Sequence, residues 1–131
     1  MSRTARAIVI AASIVLPTGC NSAKTSGAID GGPKVALEEL GQTLKMLAGE
    51  GRKAPTKPAE LDALEPMMSV AVPMIRSGDL VYVLGAGYVA GGTQVVAYQK
   101  QAAAEGGFVL LQDGTVKNLS AAEFGSAPKA K

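Results

Sequence analysis

Few residue types in this sequence could perform catalysis or hold a metal ion. The 131 residues contain no His and a single Cys. Without His the chain lacks the commonest general base, and Ser-His and Cys-His nucleophile pairs are excluded. A zinc site built from Cys and His is excluded for the same reason, and so is an internal disulfide. Together with the acidic residues and glycines described next, this leads us to expect no catalytic residues, no metal and no cofactor.

Acidic residues are the main remaining candidates for general acid-base chemistry. They lie near predicted strand ends or shortly before the first strand: Asp62, Glu65, Asp79, Glu105, Asp113 and Glu123. Glycoside hydrolysis needs two carboxylates that flank the sugar, and the spacing here selects no pair. The absence of Trp also leaves few aromatic side chains for a sugar platform. A small secreted hydrolase, a calcium site and a Ser paired with Lys or Arg stay open as weaker alternatives.

Glycines follow the first strongly β-forming run, at Gly85, Gly87 and Gly91. A dinucleotide-binding turn needs the pattern Gly-x-Gly-x-x-Gly at the start of a helix, within a βαβ unit. Here the third glycine comes one residue late, and the residues after it favour a strand. We therefore expect a strand connection in which glycines supply positive φ angles, and no bound nucleotide.

An apolar run follows two basic residues at the start of the sequence. Arg3 and Arg6 precede residues 7–16, which would form a helix of about 15 Å, too short to span a membrane. A basic flank, a short apolar core and then small residues is the order of a signal peptide. We predict that residues 1–19 are a signal peptide; a buried N-terminal helix is the alternative.

The apolar run ends at Leu16-Pro17-Thr18-Gly19-Cys20. This segment resembles the lipobox of bacterial lipoproteins, in which a small residue precedes an invariant Cys, although Pro17 stands where the family has an aliphatic residue. The resemblance implies cleavage between Gly19 and Cys20, and lipidation of Cys20. It places the protein in the cell envelope, facing the periplasm or the exterior, with the membrane as a partner through the anchor. The alternative is ordinary signal cleavage after Ala28, which leaves no anchor.

Removal of the signal peptide changes the charge balance of the chain. The full sequence carries 13 basic and 11 acidic residues, and Arg3 and Arg6 are lost with the signal peptide. The mature chain is then neutral before its terminal amine is counted. A nucleic-acid-binding domain normally carries an excess of basic residues, so we expect no nucleic-acid partner.

The mature chain divides into a short linker, one domain and a tail. Residues 20–32 are predicted to be the lipidated Cys and a flexible tether, because they are small, polar and Gly-rich. Residues 33–125 form the predicted domain, and residues 126–131 a polar tail. The domain opens with leucines at helical spacing, which indicate an amphipathic helix: Leu37, Leu40, Leu44 and Leu47.

The second half of the domain has the pattern of an antiparallel sheet. Four β-rich runs occupy residues 80–84, 95–100, 108–112 and 115–119. Asp113-Gly114 between the last two predicts a two-residue hairpin turn, which would pair Leu111 with Val116. Ser120 and Glu123 form a capping-box pattern. The predicted fold is α+β, with the N-terminal amphipathic helix packed on a small antiparallel sheet of about four strands.

Residues 34–124 resemble the soluble head of bacterial pseudopilin-like proteins. The resemblance rests on Tyr98-x-Lys100 in a late strand and on the hairpin around Asp113-Gly114. It implies a pilin-head-like fold, but the long apolar filament helix of that family is replaced by a short leader and a tether. We expect a non-enzymatic binding or scaffolding module at the membrane surface, with an envelope protein as a possible partner. A secretion or pilus-assembly accessory is the alternative.

Overall fold

The structure is a computed structural model that describes residues 32–131. The predicted signal peptide, Cys20 and most of the predicted tether lie outside the described residues. The described chain forms α1 (Gly32–Gly49), α2 (Pro58–Ala63), α3 (Ala71–Ser77), β1 (Leu80–Tyr82), β2 (Val95–Gln99), α4 (Ala102–Glu105), β3 (Gly107–Leu111), β4 (Val116–Leu119) and α5 (Ala121–Ser126). The strands pair antiparallel in the order β1-β2-β3-β4. The α+β class and the four-stranded antiparallel sheet are therefore confirmed.

The sheet separates two apolar clusters, because side chains alternate between its faces. The larger cluster contains Leu80 and Tyr82 of β1, Leu110 of β3, and residues of α1 to α3. The smaller cluster contains Val109 of β3 and Phe124 of α5. A register shift between β2 and β3 marks a bulge that leaves all of the first three β2 residues buried: Val95, Val96 and Ala97.

Helix α1 buries the apolar residues that recur at helical spacing: Ala36, Leu37, Leu40, Leu44 and Leu47. Gly41 lies so close to β3 that a Cβ atom there would meet Leu110 Cδ1 at 2.9 Å. The helix ends in a Schellman motif, since Arg52 N–H donates to the Leu47 carbonyl and Gly51 has a φ of +69°.

Helix α3 is attached to α1 by a carboxylate. Glu39 Oε2 accepts hydrogen bonds from the Val70 N–H (3.0 Å) and the Ala71 N–H (3.1 Å). These N–H groups have no partner within α3, because the first amides of any helix lack a preceding carbonyl. Pro73 falls in this first turn, where its missing N–H costs no helical hydrogen bond.

The predicted register of the β3–β4 hairpin was wrong by one residue. Leu110 pairs with Val116, and the Leu111 N–H donates to the Thr115 carbonyl at 2.9 Å, so the loop has three residues. A two-residue turn of the predicted kind needs positive φ at both positions. Gly114 has a φ of +86°, but no described residue other than glycine has a positive φ. Asp113 instead accepts a hydrogen bond from the Thr115 N–H.

The end of the chain contacts the sheet through α5 and the residues that follow it. The capping box of Ser120 and Glu123 is confirmed, and it starts α5. Beyond α5, the Val95 N–H donates to the Pro128 carbonyl, and the Ala130 N–H donates to the Val95 carbonyl. Residues 128–130 therefore run along the start of β2.

Candidate functional site

An open groove of about 510 Å³ lies between α2, α3 and β1. Its size falls within the range of small-molecule and peptide-side-chain pockets. Asp62 and Arg76 form an ion pair at its rim. The other lining residues are mainly apolar: Pro58, Leu61, Val72, Ile75, Tyr82 and Leu84. We call this the apolar groove.

The floor of the apolar groove belongs to the main core. Leu61, Val72 and Tyr82 are each less than 10% exposed. The Tyr82 hydroxyl donates to the Ala86 carbonyl at 2.6 Å, and burial raises the pKa of Tyr82 far above its ordinary value. The phenol therefore stays protonated and acts as a fixed donor. Leu84 is 40% exposed at the mouth, so the groove presents an apolar side chain to solvent.

The rim of the apolar groove carries a three-residue ion cluster. Arg76 Nη2 lies 2.7 Å from Asp62 Oδ1 and 3.1 Å from Glu65 Oε2. The hydrogen bond that Arg76 donates to Asp62, followed by the one it donates to Glu65, raises the pKa of Arg76. All three side chains are largely exposed, so the cluster contributes little to stability. It leaves one excess negative charge beside the groove.

A second site, which we call the basic cleft, lies on either side of residues 52–56. It consists of two adjoining cavities of about 280 and 360 Å³, both lined by Arg52 and Lys53. Tyr88 lines the smaller cavity, and Lys45 Nζ lies 5.9 Å from the centre of its ring. This distance is at the outer limit of a cation-π contact. The basic cleft was not predicted from the sequence.

Three of the other acidic candidates have local structural roles. The Thr115 N–H lowers the pKa of Asp113, and the Ser120 N–H lowers the pKa of Glu123. Asp79 accepts a hydrogen bond from the Ser77 hydroxyl. Of the six acidic candidates, only Asp62 and Glu65 are brought together, by Arg76. Within residues 32–131, no three Cys, Asp or Glu side chains are placed to share a metal ion.

The remaining sequence candidates are dispersed. Gly85 and Gly91 have φ angles of +88° and +70° in an irregular connection, which leads directly into strand β2 and not into a helix. Gly19 and Cys20 lie outside the described residues.

No protein-family model matches the chain, and neither do any curated proteins or solved structures. None of the helices in residues 32–131 has the length and apolarity needed to cross a bilayer.

The sequence did not indicate Leu84 and Arg76 as groove residues. They are separated from Leu61 and Asp62 by more than ten positions, and no local pattern links the two pairs.

Proposed function

We propose that this protein is a lipid-anchored component of the cell envelope, and that its domain is a non-enzymatic binding module at the membrane surface. The anchor is the lipid on Cys20, after removal of residues 1–19 as a signal peptide. Support comes from the order of basic residues, short apolar run and Gly19-Cys20. Several acyl chains would hold the protein on a bilayer firmly, whereas one chain alone binds only marginally.

The apolar groove is the observation that favours binding. Its floor is built from buried core residues, so its shape is fixed by the fold, while Leu84 remains exposed at its mouth. Apolar surface rimmed by charged groups is typical of a protein-interaction site. An envelope protein that inserts an apolar side chain between α2 and β1 would cover Leu84. Asp113 and Glu123 have roles in a turn and a helix cap, and Asp62 and Glu65 pair with Arg76 at the rim.

Anchoring is tested by mass spectrometry of the membrane fraction. We expect a mature chain that begins with an acylated Cys20. A Cys20→Ala variant should leave the membrane fraction, whereas the matched Ser22→Ala variant should remain there. An unmodified chain that starts at Ile29 would refute the lipoprotein assignment.

Partner binding is tested by photo-crosslinking in intact membranes. A photoreactive phenylalanine in place of Leu84 should give a discrete crosslinked species. The same residue in place of Val89, which is 49% exposed and does not line the groove, is the control. Equal crosslinking from both positions would argue against the groove as the binding site.

A pilin-head-like domain that serves secretion or pilus assembly is the second candidate. In support, an 18-residue helix precedes four strands that pair in sequence order, and the hairpin around Asp113-Gly114 ends the sheet. Under this proposal, α1 is the amphipathic helix that packs on the sheet of such a head. Co-purification with a filament or secretion complex would support it, and a clean monomer in mild detergent would count against it.

A further inference from the structure

A cluster of basic side chains surrounds the basic cleft, although the domain as a whole is balanced in charge. Residues 32–131 contain equal numbers of basic and acidic residues. Four of the basic ones lie within residues 45–57, where Glu50 is the single acidic residue. All four are exposed: Lys45, Arg52, Lys53 and Lys57. Clustering of like charges in a neutral domain creates a local positive field that attracts anions.

The two nearby acidic groups are Glu50 and Glu60, of which Glu60 lines the larger cavity, and they leave a net excess of two positive charges around the basic cleft. Glu50 Oε2 pairs with Arg52 Nη1 at 3.3 Å. Glu60 Oε2 is held by the backbone N–H groups of Thr56 (2.6 Å) and Lys57 (3.2 Å). No carboxylate of the described chain lies within 4 Å of the amines of Lys45, Lys53 or Lys57. Three cations therefore face solvent beside the cleft.

The smaller cavity has the volume and lining to receive a sugar ring. Its volume is about 280 Å³, and Tyr88 forms part of its wall. Gly85 and Gly87 form another part, so backbone rather than side chains is presented there. A Cβ atom at Gly87 would lie 3.2 Å from Ala54 Cβ and would narrow the cavity. An aromatic side chain can pack against a sugar ring, and backbone carbonyls can accept hydrogen bonds from the hydroxyls of the ring.

We propose that the basic cleft binds an acidic polysaccharide of the polyuronate class. One pyranose ring lies beside Tyr88, and carboxylates of this sugar and its neighbours contact Lys45, Arg52 and Lys53. Arg pairs with carboxylates in a planar, two-point geometry, which suits a uronate. The inference concerns a surface other than the apolar groove, and it holds whether or not Cys20 is lipidated.

The test measures binding of a fluorescein-labelled mannuronate hexasaccharide to the full chain in mild detergent. A neutral cellohexaose of equal length is the control ligand. We expect saturable binding of the acidic sugar alone, weakened strongly at about 0.5 M NaCl because screening shortens the range of exposed charges. Equal binding of both sugars, or binding of neither, would overturn the proposal.

Matched variants locate the binding surface. Lys53→Gln should weaken binding by up to about fivefold, the scale of one lost exposed charge contact. Lys100→Gln, which removes an exposed charge elsewhere, should leave binding unchanged. Tyr88→Leu should also weaken it, and a thermal melt shows whether that variant is folded. Equal effects of Lys53→Gln and Lys100→Gln would overturn the proposal. Tighter binding of polyphosphate or of vesicles with anionic headgroups would also overturn it.

Discussion

Removal of the Glu39 carboxylate tests whether the link between α1 and α3 is a major source of stability. In Glu39→Ala, the N–H groups of Val70 and Ala71 lose their shared acceptor. Both groups lie in a partly buried position, so water replaces the carboxylate only in part. The matched control is Glu38→Ala on the same helix, where the carboxylate makes only an exposed contact of 3.8 Å with Lys34.

The expected magnitude follows from the type of hydrogen bond that is lost. A hydrogen bond to a charged group contributes roughly 1.5–3 kcal/mol, and a buried donor left unpaired costs a similar amount. Because one carboxylate oxygen accepts both bonds, we expect a combined loss of about 2–3 kcal/mol for Glu39→Ala. Loss of the exposed pair in Glu38→Ala should cost at most about 0.5 kcal/mol. Both variants gain the same helix propensity, which therefore cancels in the comparison.

Thermal and urea unfolding measure the difference. For a domain of this size, 2–3 kcal/mol corresponds to a fall in Tm of roughly 8–20 °C. Glu39→Gln keeps a neutral acceptor and should lie between the wild type and Glu39→Ala. If Glu38→Ala and Glu39→Ala lose the same stability, the carboxylate does not hold α3 and the reasoning is refuted.

Three further predictions concern glycines and the last helix cap. Gly106→Ala should destabilise the domain by at least about 2 kcal/mol, because φ is +80° and a Cβ atom would lie 2.6 Å from the Leu119 carbonyl oxygen. Gly125→Ala is the control variant for the thermal melts, since a Cβ atom there would meet nothing within 4 Å. Gly114→Val should cost about 1–2 kcal/mol through its positive φ, and an unchanged Tm would contradict this. The folded-state pKa of Glu123 is lowered by the Ser120 N–H. The contribution of the Glu123 carboxylate to the free energy of unfolding is therefore complete above the ordinary Glu pKa, and it is lost as the pH falls through the lowered pKa. The Tm difference between wild type and Glu123→Gln should shrink from about pH 7 to about pH 3, and a difference that stays constant would exclude the charged cap.

Local patterns were sufficient to predict the class of the fold and the positions of its strands. Each predicted run overlaps an observed strand with shifts of one or two residues, because β-branched and apolar residues define these segments locally. The cap at Ser120 was also predicted, since all of its donors and acceptors lie within four residues. The hairpin register was not predicted correctly, because Asp-Gly is compatible with both a two-residue and a three-residue loop. The side-chain bond of Asp113 to the Thr115 N–H accompanies the longer loop.

The candidate sites could not be derived from the sequence, because they depend on contacts between distant segments. Arg76 reaches back across 14 positions to Asp62, and Leu84 meets α2 only after the chain has formed α3 and β1. The basic cleft likewise needs the end of α1 to lie beside Tyr88. Charge spacing along the sequence shows a basic run, but not the cavity beside it. The predictions for Gly19 and Cys20 lie outside the described residues and stay predictions.

The buried hydroxyl of Tyr82 gives this chain an optical signal of its own folding. The sequence has no Trp and only three tyrosines, so near-ultraviolet absorbance comes mainly from these phenols. Burial raises the pKa of Tyr82, and ionisation would also break its hydrogen bond to the Ala86 carbonyl. Formation of tyrosinate at this position is thereby coupled to opening of the core. In alkaline solution the absorbance of one phenol in three therefore reports whether the floor of the apolar groove is intact, without any added label.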